Sequence, residues 1–189
     1  MPEQVSHVYP FTLEALYIAS HNRATDTYGI PYGLEADQII EVDPQADTDM
    51  MRDSGQVTRG LTVVTHATIT LTQGGMDFVA LGILANGVSG QSQFKPEAGG
   101  DGLKYFGAIG VARLDGGEVM AIGLRSCKLD TIPPMKLDGQ ANKFNVSDMK
   151  GKAFAVGNRI YIFQRYASLS AWELARPTDG ASLKTWLTA

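Results

Sequence analysis

The sequence predicts a mainly β fold: a β-sandwich or half-barrel in a single domain, residues 1–189, with one short flanking α-helix and long loops. Three observations carry that expectation. Hydrophobicity alternates with a period of two over the longest patterned stretch, Val57 to Leu71. Glycine-containing turn signals, Asp115-Gly116-Gly117 and Gly157-Asn158, separate further apolar runs. The 189 residues are 44% hydrophobic and only 19% charged, with a formal charge of −4. A chain of this size buries roughly 70% of its unfolded surface, enough for one core. That composition also excludes an intrinsically disordered chain.

The elements follow in order. Residues up to about 12 read as an N-terminal arm, and Leu13 to Ala19 as the first strand. Asn22 to Gly33 is turn-rich, and Leu34 to Val42 reads as a second strand. Asp43 to Gln56 is polar and reads as a long loop. From Val57 the odd positions Leu61, Val63, Ala67, Ile69 and Leu71 form an apolar face, and the even positions Thr58, Thr62, His66, Thr68 and Thr70 a polar one. At about 3.4 Å per residue, so long a strand either bends at a bulge near Gly60 or runs past its sheet. After Gly74-Gly75, helical spacing places Met76, Val79, Ala80, Ile83 and Leu84 on one helix face, stopped by Asn86-Gly87. Asn86 to Gly102 is a Gly-rich loop. Tyr105–Leu114 and Glu118–Leu129 form one hairpin, Lys152–Val156 and Arg159–Leu169 another. A C-terminal arm or helix occupies about 170–189, within which a helix starts at Asp179 or Ser182 and carries Leu183, Trp186 and Leu187.

The same residues exclude several kinds of chemistry. A net charge of −4 has the wrong sign for a basic nucleic-acid-binding face. The lone Cys127 rules out an intrachain disulfide and a cysteine zinc cluster, and reads as a small packed residue. The start MPEQVSHVYPF shows no secretion signal, and Met76–Ala85 is far shorter than the ~20 residues of a membrane helix. The expectation is a protein made in a cytoplasm, with no membrane insertion and no cofactor. Asn145-Val146-Ser147 is then a chance glycosylation triplet. His7, His21 and His66 have no metal-ligand spacing, no G-x-S-x-G elbow is present, and Gly99-Gly100-Asp101-Gly102 lacks the rest of a dinucleotide fingerprint. No catalytic constellation is expected.

One charged pattern stands out. Glu35, Asp37, Glu41 and Asp43 alternate along the second strand, with Ile39 interrupting them, and would share one face at about 6.8 Å steps. An ordinary solvated face and a deliberately anionic surface both fit.

Taken in order, these pieces resemble the major tail tube proteins of long-tailed bacteriophages. The matching string runs from the strand Gln56–Thr72 into Gly74-Gly75-Met76-Asp77-Phe78-Val79-Ala80-Leu81-Gly82-Ile83-Leu84. It continues through Tyr105-Phe106-Gly107-Ala108-Ile109-Gly110-Val111, the Gly116-Gly117 hairpin and Cys127-Lys128-Leu129. Pro133-Pro134, Leu137-Asp138-Gly139 and Lys143-Phe144 lead to a closing strand, so the likeness covers roughly Leu13 to Leu169. The resemblance implies a structural virion protein, not an enzyme. Its subunits would form hexameric rings that stack into a tube around a tape-measure protein and later pass double-stranded DNA. Further implied partners are the tail terminator and distal tail proteins. The implied location is the virion tail, after assembly in the host cytoplasm. On this reading Glu35, Asp37, Glu41 and Asp43 line the lumen. The connection with Asp47, Asp49, Met50, Met51, Arg52 and Asp53 reaches the next ring, while Met76, Val79, Ile83 and Leu84 pack the helix on the sheet. The alternative is a small-ligand-binding β-barrel, which would remain a monomer.

Overall fold

A computed structural model describes residues 10–34, 38–53, 56–73, 78–90, 93–96, 102–114, 116–131, 135–138 and 143–189. The strands are β1 (Pro10–Asn22), β2 (Thr27–Tyr28), β3 (Tyr32–Leu34), β4 (Gln38–Asp53), β5 (Gln56–Gln73), β6 (Gly87–Gly90) and β7 (Gln93–Pro96). They continue with β8 (Phe106–Leu114), β9 (Val119–Leu129), β10 (Met135–Asp138), β11 (Lys143–Phe154) and β12 (Tyr161–Tyr166). The described residues also form three short helices: α1 (Phe78–Leu84), α2 (Leu169–Ala175) and α3 (Gly180–Thr188). The protein is mainly β, as its alternation predicts.

One antiparallel sheet holds ten of the strands in the order β2-β1-β8-β9-β11-β5-β4, with β3 on β1, β12 on β9 and β10 on β11; β6 and β7 form a small sheet of their own. Each face of the large sheet carries a core over part of its width. On one side Leu16, Ile18, Ala67, Ile69, Leu71, Phe106, Ala108 and Leu124 pack with Ala80, Leu81 and Leu84 of α1. The sheet curls round this core far enough for Ile40 of β4 to lie on Gly110 of β8, where an added Cβ would come within 2.8 Å of the isoleucine. On the other side Ala19, Ile109, Val111, Val119 and Ala121 pack with Trp172, Leu183, Trp186 and Leu187 of α2 and α3.

β5 follows its pattern: Ala67, Ile69 and Leu71 are buried, while Thr68 and Thr70 are half-buried. It also runs past its sheet, pairing with β11 only from His66 onward. Its pairing with β4 slips by one residue at two places, Gln45/Ala46 and Met51/Arg52; the second leaves Thr58 extra on β5, near Gly60 as expected. The Gly116-Gly117 hairpin forms as expected, with φ of 95° and 85°, closed by the bond from the Leu114 N–H to the Glu118 carbonyl.

Several expectations need correction. Asp43–Gln56 is not a loop, because β4 continues through Pro44 to Asp53. Pro44 pairs with Ala67 on an edge strand, where a missing N–H costs no ladder bond on the outer side. Within Asn22–Gly33 the chain makes a tight hairpin, β1–β2, and then returns as β3. Part of Asn86–Gly102 is the β6–β7 hairpin. Gly157-Asn158 does not join two paired strands: β11 and β12 both run antiparallel to β9, one after the other along the same edge. The residues between them bulge outward, closed by the Val156–Arg159 bridge. β12 stops at Tyr166, and Leu169 opens a helix instead of closing a strand, because the Ser168 hydroxyl accepts the Ala171 N–H as an N-cap. The C-terminal helix forms as expected. Asp179 is its N-cap and Ser182 completes a capping box, so both proposed start residues act at its first turn.

Candidate assembly surface

β4 and β5 form the longest hairpin among the described residues. From Ala46↔Val64 to Asp53↔Gln56 their backbones are paired with each other, and among the described residues no further strand joins that stretch. Eight residues of β4 therefore project as a two-stranded ribbon about 27 Å beyond the sheet. Such a ribbon presents unpaired backbone N–H and C=O groups along both edges. The whole outer edge of β4 is likewise unpaired among the described residues. Asp47, Asp49, Met50, Met51, Arg52 and Asp53 all lie on this ribbon, at register positions opposite Val63, Leu61, Gly60, Arg59, Val57 and Gln56; their side chains are outside the description. A connection expected to be a loop is thus a strand-pairing arm.

Of the acidic stripe, Glu35 and Asp37 lie outside the described residues. Glu41 and Asp43 are exposed and two residues apart on β4, so they share one face. The neighbouring strands carry cations on that face. Glu41 stands opposite Thr70 and Thr70 opposite Lys150, while Asp43 stands opposite Thr68 and Thr68 opposite Lys152. Lys128 of β9 follows beside Lys152. The surface has mixed charge, ordered strand by strand from acid to threonine to lysine.

Helix α1 packs on the sheet with a face turned slightly from the one its spacing suggests. Ala80 and Leu84 are buried as expected and Ile83 packs half-buried against the core, while Leu81 is buried too, Val79 is half-buried and Met76 lies outside the described residues. Leu81 is 2% exposed. In a seven-residue helix two turns do not fix the direction of the buried face, so the tertiary contact chooses it.

A buried polar chain links β1, the β1–β2 turn, β9 and α3. The His21 ring stacks on Tyr28 with centroids 4.3 Å apart, its Nδ1 lies 3.1 Å from Ser126 Oγ, and its Nε2 lies 3.3 Å from Asp26 Oδ1. The carboxylate can only accept, so Nε2–H donates to Asp26 and Nδ1 accepts the Ser126 hydroxyl. Lys184 of α3 reaches Asp26 Oδ2 at 3.0 Å and donates to its carbonyl at 2.7 Å. Tyr28 donates to the Arg125 carbonyl at 2.8 Å. A bulge makes the chain possible. Phe106 and Ala108 of β8 pair with Cys127 and Leu124 of β9, so three steps on β9 match two on β8. The extra residue inverts the alternation there and sends Cys127 into the α1 core while Ser126 meets His21.

Burial is the largest influence on His21 and lowers its pKa, against the opposing hydrogen bond and charge of Asp26; Arg23 and Arg125 lower it further. Burial pushes the Asp26 carboxyl up, but hydrogen bonds from Lys184 and His21 and the Lys184 charge outweigh it and leave it below the usual value. Burial raises Tyr28 to about 12 and pushes the Cys127 thiol far up, which makes the thiol a poor nucleophile. Ser126, His21 and Asp26 have the bonding sense of a hydrolytic triad. Ser126, however, is 0% exposed inside β9, and a substrate cannot reach its hydroxyl. The chain holds α3 and the turn onto the sheet. No local signal marks it, because Ser126 and His21 are 105 positions apart.

Among the described residues no group of histidine, cysteine and acidic side chains could hold a metal ion, and no helix is long and apolar enough to cross a membrane. No protein-family model matches the chain, and no curated protein is detectably related to it in sequence.

Proposed function

We propose that this protein is a structural subunit that polymerises as stacked hexameric rings into a bacteriophage tail tube, the conduit for double-stranded DNA. The observation that carries the reading is the β4 edge with its projecting β4–β5 ribbon. A two-stranded ribbon is marginal in water by itself, and a long unpaired edge is a template for strand addition. A chain that keeps both gains by pairing them with neighbouring copies. The resemblance in element order to tail tube proteins supplies the ring geometry, the tape-measure, terminator and distal tail partners, and the virion location.

In this reading the ribbon, Asp47 to Asp53, contacts the adjacent ring. By the resemblance Glu35, Asp37, Glu41 and Asp43 are the channel-facing candidates; on the face that Glu41 and Asp43 share with Lys150 and Lys152, the acids offset lysine charge that would otherwise hold the duplex. The alternative, a small-ligand-binding β-barrel, would remain a monomer.

Electron microscopy and sedimentation of the purified protein test the proposal. Rings or long tubes are expected, and deletion of Asp47–Ser54 should leave a folded subunit that no longer polymerises. A chain that stays near 20 kDa under all conditions, or normal tubes from the deletion variant, would refute it.

A further inference from the structure

We infer that the outer face of β4, β5 and β11 is a self-complementary docking surface for a second copy of this chain. Two rows cross the three strands, Glu41–Thr70–Lys150 and Asp43–Thr68–Lys152, with each residue directly opposite the next. Opposed positions share a face, and Glu41, Asp43, Lys150 and Lys152 are all exposed. Helices α2 and α3 pack over β1, β8, β9 and β12, and among the described residues nothing in that cluster covers these rows. Among the described residues none of the four charged groups is in an ion pair, although each acid stands two strands from a lysine.

The order of the rows says which anion fits. Acid and lysine flank the central threonine at equal distances of about 4.8 Å, and the two rows are about 6.8 Å apart on both outer strands. A two-fold axis along β5, between two facing copies, sets Glu41 over the partner's Lys150 and Asp43 over the partner's Lys152. The lysines meet the partner's acids in return, and threonine meets threonine. One register forms every pair, at the usual face-to-face sheet spacing of about 10 Å. A polyanion would satisfy the lysines but would meet Glu41 and Asp43 in the same footprint, inside a chain of charge −4. The second copy answers both signs. The patch is three strands wide, well under the ~1,000 Å² of a stable interface, so the contact is weak and screened by salt. It belongs to the free subunit and does not depend on the tube reading.

Sedimentation of the full chain at low salt and at about 300 mM salt measures it, with association expected to fall about tenfold or more across that range. Glu41→Lys with Asp43→Lys makes both outer rows positive, and Lys150→Glu with Lys152→Glu makes both negative. Each double variant should be monomeric, their mixture should form a heterodimer, and the fourfold exchange should self-associate again. Circular dichroism checks that these surface variants fold. A wild-type monomer at low salt, a double variant that dimerises like wild type, or a mixture that stays monomeric overturns the inference. So does retention of a duplex DNA probe by a wild-type chain that never dimerises. Tubes built by a wild-type chain whose free subunits stay monomeric at low salt overturn it while sustaining the tube reading; salt-sensitive dimers that never grow into tubes do the reverse.

Discussion

Replacing Gly123 with alanine tests how the C-terminal helices are held. A Cβ at this position in β9 would lie 2.3 Å from Cζ3 of Trp186, 2.6 Å from Cδ2 of Leu187 and 3.0 Å from Cγ2 of Ile162. Carbon atoms in contact need about 3.5–4.0 Å, so α3 must retreat by about 1–2 Å. Overpacking of this kind costs about 1–3 kcal/mol. Full undocking would forfeit roughly 1.5–3 kcal/mol for each of the buried side chains Leu183, Trp186 and Leu187. Partial retreat lies between these limits, and Gly123→Ala is expected to lose about 2–4 kcal/mol. For a chain of this length that lowers Tm by roughly 5–15 °C. The chain has 2 tryptophans, and both lie at this contact with ring centroids 5.9 Å apart. Thermal and urea unfolding followed by fluorescence should therefore show the lower midpoint together with red-shifted native emission. Gly117→Ala is the control: at φ +85° with nothing within 4 Å it should cost about 1–2 kcal/mol of backbone strain and leave the emission unchanged. A Gly123→Ala protein with unaltered midpoint and spectrum would refute the packing of α3 on β9.

Two more outcomes test the core and the buried polar chain. In α1, Leu81→Ala should cost about 2–5 kcal/mol in urea unfolding, and Val79→Ala well under half of that. Equal costs would mean that the helix buries a different face. His21 titrates below its ordinary value in the folded state, so the unfolded chain binds the proton more readily. Its contribution is complete above pH about 6.5 and is lost as pH falls through 6.5 toward the folded value. His21→Gln should flatten that limb of the stability–pH curve, and an identical curve for the variant would exclude His21 as its source.

Some of the fold is legible in the residues because burial is written locally. The face of Ala67, Ile69 and Leu71, the glycines of the β8–β9 turn and the Asp179 cap all act within a few positions of themselves. Helix α2 leaves a fainter trace, the Ser168 cap, since seven residues are too few to display a period. The polar end of β4 leaves none: Ala46 to Asp53 shows no apolar alternation, and Pro44 looks like a break until the edge position excuses it.

The sequence by itself determined the β class, the strand faces, the β8–β9 hairpin and the existence of two of the helices. Only the tertiary structure decided which strands are neighbours, and with them every relation that crosses strands. That β12 extends the line of β11 along β9 depends on partner choice. So does the meeting of Ser126 with His21, which needs a bulge whose register is set by β8. The acid stripe could be read from spacing, but the lysines that share its face come from a strand more than a hundred residues away in the chain. Alternation reports which face a residue lies on. Which residues stand beside it is settled by long-range pairing, and that pairing is fixed only when the whole sheet closes on its core.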